Sequence, residues 1–141
     1  AAPVSPRGRR VPMKGDEPRF LKLAEVLYLH DESLARFGGS SGVREPGLVE
    51  SALGSAQNAF WYGHGNPFDI AAAYAFHIAE SQAFVDGNKR TAAAAAISFL
   101  RLNGIQFPKD DGSVYKAMIE IAEKRLDKAG LAVVLRLLVK K

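Results

Sequence analysis

The stretch SQAFVDGNKRT, Ser81 to Thr91, sets an acid, a glycine, an asparagine and two cations in a row at Asp86, Gly87, Asn88, Lys89 and Arg90. These are the parts of an anion site. Glycine lets the backbone approach a ligand or take a positive φ, and asparagine can cap a helix or donate to a phosphate oxygen. If a helix starts here, its first N–H groups are unpaired and its dipole is positive, which attracts phosphate. Lys89 and Arg90 add charge, the arginine with a fork that grips two oxygens, while Asp86 offers the hard oxygen that Mg²⁺ takes beside nucleotide phosphates. The spacing therefore suggests a metal-nucleotide site. The same residues also read as common turn chemistry followed by a solvated helical turn. Context favours a site, because the stretch joins the two most apolar helical segments and carries Phe84 as a core anchor.

The elements that must hold this stretch are helical. Leu23, Val26, Leu27, Leu34 and Phe37 recur at helical spacing until Gly38 and Gly39 end the run. After a Gly/Ser-rich loop, Pro46 opens a second helix through Phe60, and WYGHGNPF breaks regularity again. Pro67 starts a third, apolar on nearly every side, and QAFVDG separates it from a fourth that begins at Asn88. The five alanines from Ala92 to Ala96 predict strong helicity, and an apolar girth makes this helix central. Two amphipathic helices follow, around SVYKAMIEIAEKR and AGLAVVLRLLVKK. The expected fold class is all-α, a single-domain bundle of about six helices around a central alanine-rich helix, with room for a short hairpin flap in the turn-rich region.

Composition narrows the function classes. Of 141 residues, 48% are apolar and 24% charged, which suits one soluble globular domain. The absence of cysteine excludes disulfide and thiolate chemistry and fits a reducing compartment. No window has the apolar length of a membrane span, so a cytoplasmic protein with no membrane partner is expected. The net charge of +4 sits mostly in residues 1–19; from Phe20 onward fourteen cations face thirteen acids. A nearly neutral body argues against a basic groove and against nucleic acid as a partner. Residues 1–19, with Pro, Gly and Arg but no apolar period, are expected to form a flexible N-terminal tail before the domain at 20–141, and Met13 is a candidate start.

The sequence QAFVDGNKRTAAAAAISFLRLNG resembles the signature of the Fic/Doc family, H-x-F-x-[D/E]-[G/A]-N-[K/G]-R, in its death-on-curing (Doc) branch. Phe84, Asp86, Gly87, Asn88, Lys89 and Arg90 match, and only the leading histidine differs, being Gln82. FLKLAEVLYLHDESLARFGGSSGVREPGLVESALGSAQN also resembles the amino-terminal half of Doc-type proteins, so the likeness spans residues 20 to about 125. The resemblance implies an all-α fold with the motif loop between two central helices. It further implies transfer from a nucleoside triphosphate, ATP or another, with Mg²⁺, to a Ser/Thr hydroxyl of a target protein. In the Doc branch this is phosphoryl transfer to a translation elongation factor. By position, Asp86 would hold Mg²⁺, Gly87 and Asn88 would cradle phosphate, and Arg90 with Lys89 would meet charge developing in the transfer. Many adenylylating members carry a further arginine where this chain has Ala93, which favours phosphotransfer over a protein adenylyltransferase.

Gln82 stands where the family has its general base. An amide can orient a hydroxyl but cannot take its proton, so turnover is expected to be impaired while binding survives. The alternative is a non-catalytic nucleotide- or partner-binding pseudoenzyme. No histidine replaces the base. His77, five residues earlier, points about 140° away on the helix and suits a core or hydrogen-bonding role. His64 lies in the second turn-rich segment, and His30, beside Asp31 and Glu32, suits the helix surface. Arg44, Trp61 and His64, from the two turn-rich segments, are candidates for a rim or target-binding surface. The nearest approach to an inhibitory helix motif, Ser41 to Glu45, precedes Pro46 in a loop, so a separate small antitoxin is the expected partner.

Overall fold

The computed structural model describes residues 17–63 and 66–140. Six helices follow in chain order: α1 (Leu23–Phe37), α2 (Pro46–Trp61), α3 (Pro67–Ser81), α4 (Asn88–Leu102), α5 (Ser113–Ala122) and α6 (Lys128–Val139). Among the described residues there is no strand, and the architecture is the all-α bundle that the sequence predicts. The expectation of a flexible tail lies, through residue 16, outside the described residues. Arg19 is tied down: its N–H donates to Asn103 Oδ1 at 2.7 Å, and Asn103 Nδ2 donates back to its carbonyl at 3.0 Å.

α3 and α4 form the centre, packing on each other, with α2, α5 and α6 against α3 and α1 and α5 against α4. Small side chains make this possible. Ala71, Ala72, Ala73, Ala75 and Ala79 of α3 and Ala92, Ala93, Ala95 and Ala96 of α4 are all buried. With so little side-chain bulk between them the backbones can approach to about 8 Å. Larger groups meet within the seam, where the Tyr74 and Phe99 rings stand 5.3 Å apart between centroids.

Helix starts follow their capping chemistry. Asn66 caps α3 by accepting from Asp69 N–H at 2.9 Å, and Asp127 caps α6 by accepting from Gly130 N–H at 2.7 Å. α4, like α5 with Gly112, starts without such a cap. Its N-cap is Gly87, in the left-handed region at φ 81°, ψ 17°, and no side chain caps it. The loop 82–87 that links α3 to α4 thereby delivers an open helix start to the surface.

The hairpin for which the turn-rich region has room does not form as such among the described residues. Gly39 and Gly42 take positive φ values of 121° and 128°, and the segment bonds to the α3–α4 loop instead of folding on itself. Arg44 N–H donates to Ala83 O at 2.6 Å and Val85 N–H to Gly42 O at 3.1 Å, leaving a single antiparallel bridge between Val43 and Phe84. The α1–α2 connection is thus strapped across the motif loop. α2 runs one residue further than the sequence suggests, to Trp61, whose ring packs edge-on to Phe60 and tilted against Phe20.

Candidate nucleotide site

The motif loop is held from beneath by one ring. Phe84 is fully buried, and the His30 imidazole lies parallel on it, 3.9 Å between centroids and 13° between planes. His30 Nε2 lies 2.8 Å from the carbonyl oxygen of Asp86. A carbonyl only accepts, so Nε2 carries the proton. This corrects the expectation of a surface histidine: His30 is only 2% exposed. It falls on the same stripe as Val26 and Ser33, the other buried residues of α1, at four- and three-residue steps. The helical period of that stripe was the available signal, and the adjacent Asp31 and Glu32 obscured it.

Asn88 braces the loop from within. Its Oδ1 accepts from Phe84 N–H at 3.1 Å and its Nδ2 donates to Phe84 O at 3.0 Å. The side chain therefore neither caps α4 nor faces outward, and any anion contact at Asn88 falls to its backbone. None of the described residues accepts from the N–H groups of Asn88, Lys89 and Arg90, the first three of α4. Three donors at a positive helix end stand open.

Asp86 lies beside them. Its Oδ1 accepts from Gly87 N–H at 3.0 Å and its Oδ2 from Ser40 N–H at 3.2 Å, which aims the carboxylate along the loop. Gly39 makes room for it, since a Cβ there would stand 2.9 Å from Oδ2. Gly39 is thus a site residue that sequence reasoning treated only as a helix stop. No cluster of three or more metal-ligating side chains exists among the described residues. One carboxylate beside open phosphate donors nonetheless suits Mg²⁺, which keeps several waters and takes oxygens from substrate phosphates.

These groups share one cavity of about 400 Å³, bordered by Phe37, Gly39, Gln82, Asp86, Gly87, Asn88, Lys89, Arg90 and Tyr115. Gln82 ends α3 in the left-handed region at φ 52°, ψ 36°, and its amide folds back to donate to Ala79 O at 3.1 Å. The Arg90 guanidinium lies over the rings of Phe37 and Tyr115 and has no acceptor among the described residues. Charge and geometry agree: the cavity presents donors and cations around a single acid.

The rim candidates separate. Arg44 reaches the motif loop only through its backbone, and its guanidinium, exposed, does not border the cavity. Trp61 does not border the cavity either. Its helix starts near the loop but runs 16 residues, so its far end lies about 24 Å away, and there the three rings of Phe20, Phe60 and Trp61 pack on one another. His64 lies outside the described residues. His77, as expected, serves elsewhere: its Nε2 is 3.1 Å from Lys128 Nζ and accepts from that ammonium.

Residues 20–100 match the Fic/DOC family. The chain is 37% identical over 89 residues to "Protein kinase doc" of Escherichia phage P1, a match covering 62% of this chain and 71% of that protein. It is 43% identical over 76 residues to "Toxin Doc" of Mycolicibacterium smegmatis, covering 52% of this chain and 58% of that one. The helical order, the strapped motif loop and the open start of α4 accompany a match over more than half the chain, and the protein belongs to the Fic/Doc family, in its Doc branch.

Proposed function

We propose that the cavity binds a Mg²⁺-nucleoside triphosphate, ATP first among candidates, and that the scaffold serves transfer of its terminal phosphoryl group to a Ser/Thr hydroxyl of a protein. One observation carries this reading: three open backbone N–H groups and a guanidinium without an acceptor border one cavity with a single carboxylate. Donors of that number suit an anion with several oxygens.

Asp86 would hold Mg²⁺, which when bound supplies positive charge shared between phosphate oxygens. The N–H groups of Asn88, Lys89 and Arg90 take up phosphoryl oxygens, and Arg90 with Lys89 meets charge that grows on them during transfer. Gln82 borders the same cavity. Its amide oxygen can orient a hydroxyl but leaves the proton without an acceptor, so this chain turns over slowly. The names of the two relatives, a protein kinase and a toxin, support phosphotransfer and a toxin role, as does Ala93 in place of a second arginine. A translation elongation factor as target and a separate small antitoxin as partner follow from the family resemblance, and the cytoplasm as compartment follows from the composition of the chain. A second reading, nucleotide or partner binding without chemistry, is favoured by the Gln82 amide being occupied with Ala79 O.

Gln82→His tests the two. Histidine is among the residues that tolerate the left-handed region, so the end of α3 survives the change. With γ-labelled ATP in a cell extract the variant should label a translation factor about 10²- to 10⁴-fold faster than the chain as it stands. Label arriving only from α-labelled ATP indicates adenylylation. No label from either leaves the binding-only reading.

A further inference from the structure

The Arg90 guanidinium carbon stands 3.7 Å from the centroid of the Phe37 ring and 4.1 Å from that of Tyr115. Phe37 is the last residue of α1 and Tyr115 lies in the first turn of α5, so helices distant in sequence converge on one side chain of α4. Burial does not explain the arrangement. Phe37 is 53% exposed, far more than a ring placed for the core would be. The guanidinium carbon lies over both rings, and a cation held against a ring face keeps its in-plane N–H groups for acceptors elsewhere. Arg90 borders the 400 Å³ cavity and also a neighbouring groove of about 520 Å³ along α1 and α4.

A carboxylate at either ring position would hold the arginine as firmly, but it would cancel the charge and compete with phosphate for the same donors. A ring face attracts the cation through its quadrupole and accepts none of the in-plane hydrogen bonds. We propose that Phe37 and Tyr115 are positioning residues that clamp the Arg90 guanidinium edge-on to the cavity and so set its affinity for a triphosphate. This rests on reading the cavity as a nucleotide site. The gain is pre-organisation: an arginine already confined loses less rotamer freedom when it binds.

The test is calorimetric titration of the full chain with Mg²⁺ and ATP. Phe37→Leu and Tyr115→Leu keep apolar bulk without the ring quadrupole, and each should weaken binding about 3- to 30-fold. Phe37→Tyr and Tyr115→Phe keep the rings and should bind as the unaltered chain does. In an Arg90→Ala background Phe37→Leu should have no further effect, because the ring acts only through the guanidinium. Either leucine variant binding normally while Arg90→Ala binds weakly overturns the clamp and leaves the nucleotide reading intact. A further loss from Phe37→Leu in the Arg90→Ala background overturns it equally, by showing that the ring acts independently. If Arg90→Ala itself binds ATP normally, the nucleotide reading of this cavity falls and the clamp with it.

Discussion

His30 and Asp86, 56 residues apart, are joined by a 2.8 Å hydrogen bond from the imidazole Nε2 to the backbone carbonyl, while the same imidazole stacks on Phe84. One buried side chain of α1 thus fixes both the anchor of the motif loop and the residue that carries its only acid. Gly87 lies against the same ring, where an added Cβ would meet His30 Cδ2 and Nε2 at 3.6 Å.

Replacing that ring should loosen the loop in two separable steps. His30→Phe keeps the stack and loses one hydrogen bond, at about 1 kcal/mol, whereas His30→Ala also leaves a cavity and should lose about 3 kcal/mol or more. Urea unfolding of the two variants measures the difference. Equal losses would mean that the stack on Phe84 contributes nothing.

Asn88 offers a sharper separation of scaffold from ligand contact. Asn88→Ala strands two buried backbone groups of Phe84 and should destabilise the protein by about 2–4 kcal/mol even without nucleotide. Asn88→Asp keeps the acceptor for Phe84 N–H but sets a carboxylate against Phe84 O, and it should destabilise as well. If both variants melt like the unaltered protein and lose only nucleotide binding, the side chain serves the ligand and not the loop.

Tyr74 is a buried hydroxyl with a structural partner. Its oxygen accepts from Leu21 N–H at 2.9 Å, and burial, outweighing that bond, pushes its pKa up to about 12. Tyr74→Phe leaves the Leu21 N–H without a partner and should lower stability by about 1–3 kcal/mol, read as a lower urea midpoint at unchanged slope. Alkaline titration of the native protein should show one phenol ionising well above the ordinary range, and that phenol should be missing from the variant.

His77 makes stability depend on pH. Burial first and the Lys128 ammonium second lower its pKa, with Glu80 opposing them. The unfolded chain takes this proton near pH 6.5 and the folded one resists it, so below about 6.5 the unfolded state binds more protons and stability falls with pH. The contribution is complete above that value and is lost as pH drops toward the folded pKa. His77→Gln should therefore show a shallower decline in melting temperature between about pH 7 and about pH 5. An unchanged slope would assign the dependence to other groups.

The sequence by itself determined what depends on local chemistry and period. Pro67, the alanines of α4 and Gly104 delimit helices through propensity and backbone sterics, which act within a few residues. The motif loop between α3 and α4 followed from the same signals, as did the family, because six motif residues lie within seven positions from Phe84 to Arg90. What needed the tertiary structure were contacts between distant elements. The burial of His30, the clasp of Asn88 on Phe84 and the room that Gly39 leaves for Asp86 rest on pairings invisible to local spacing. Arg90 shows the division most plainly: its charge and place in the motif are written in the chain. That its guanidinium is held by two rings and not by an acid depends on where α1 ends and α5 begins in space. Packing of the alanine-lined helices α3 and α4 and of their neighbours decided that, since small side chains bring backbones together without encoding what their neighbours will meet.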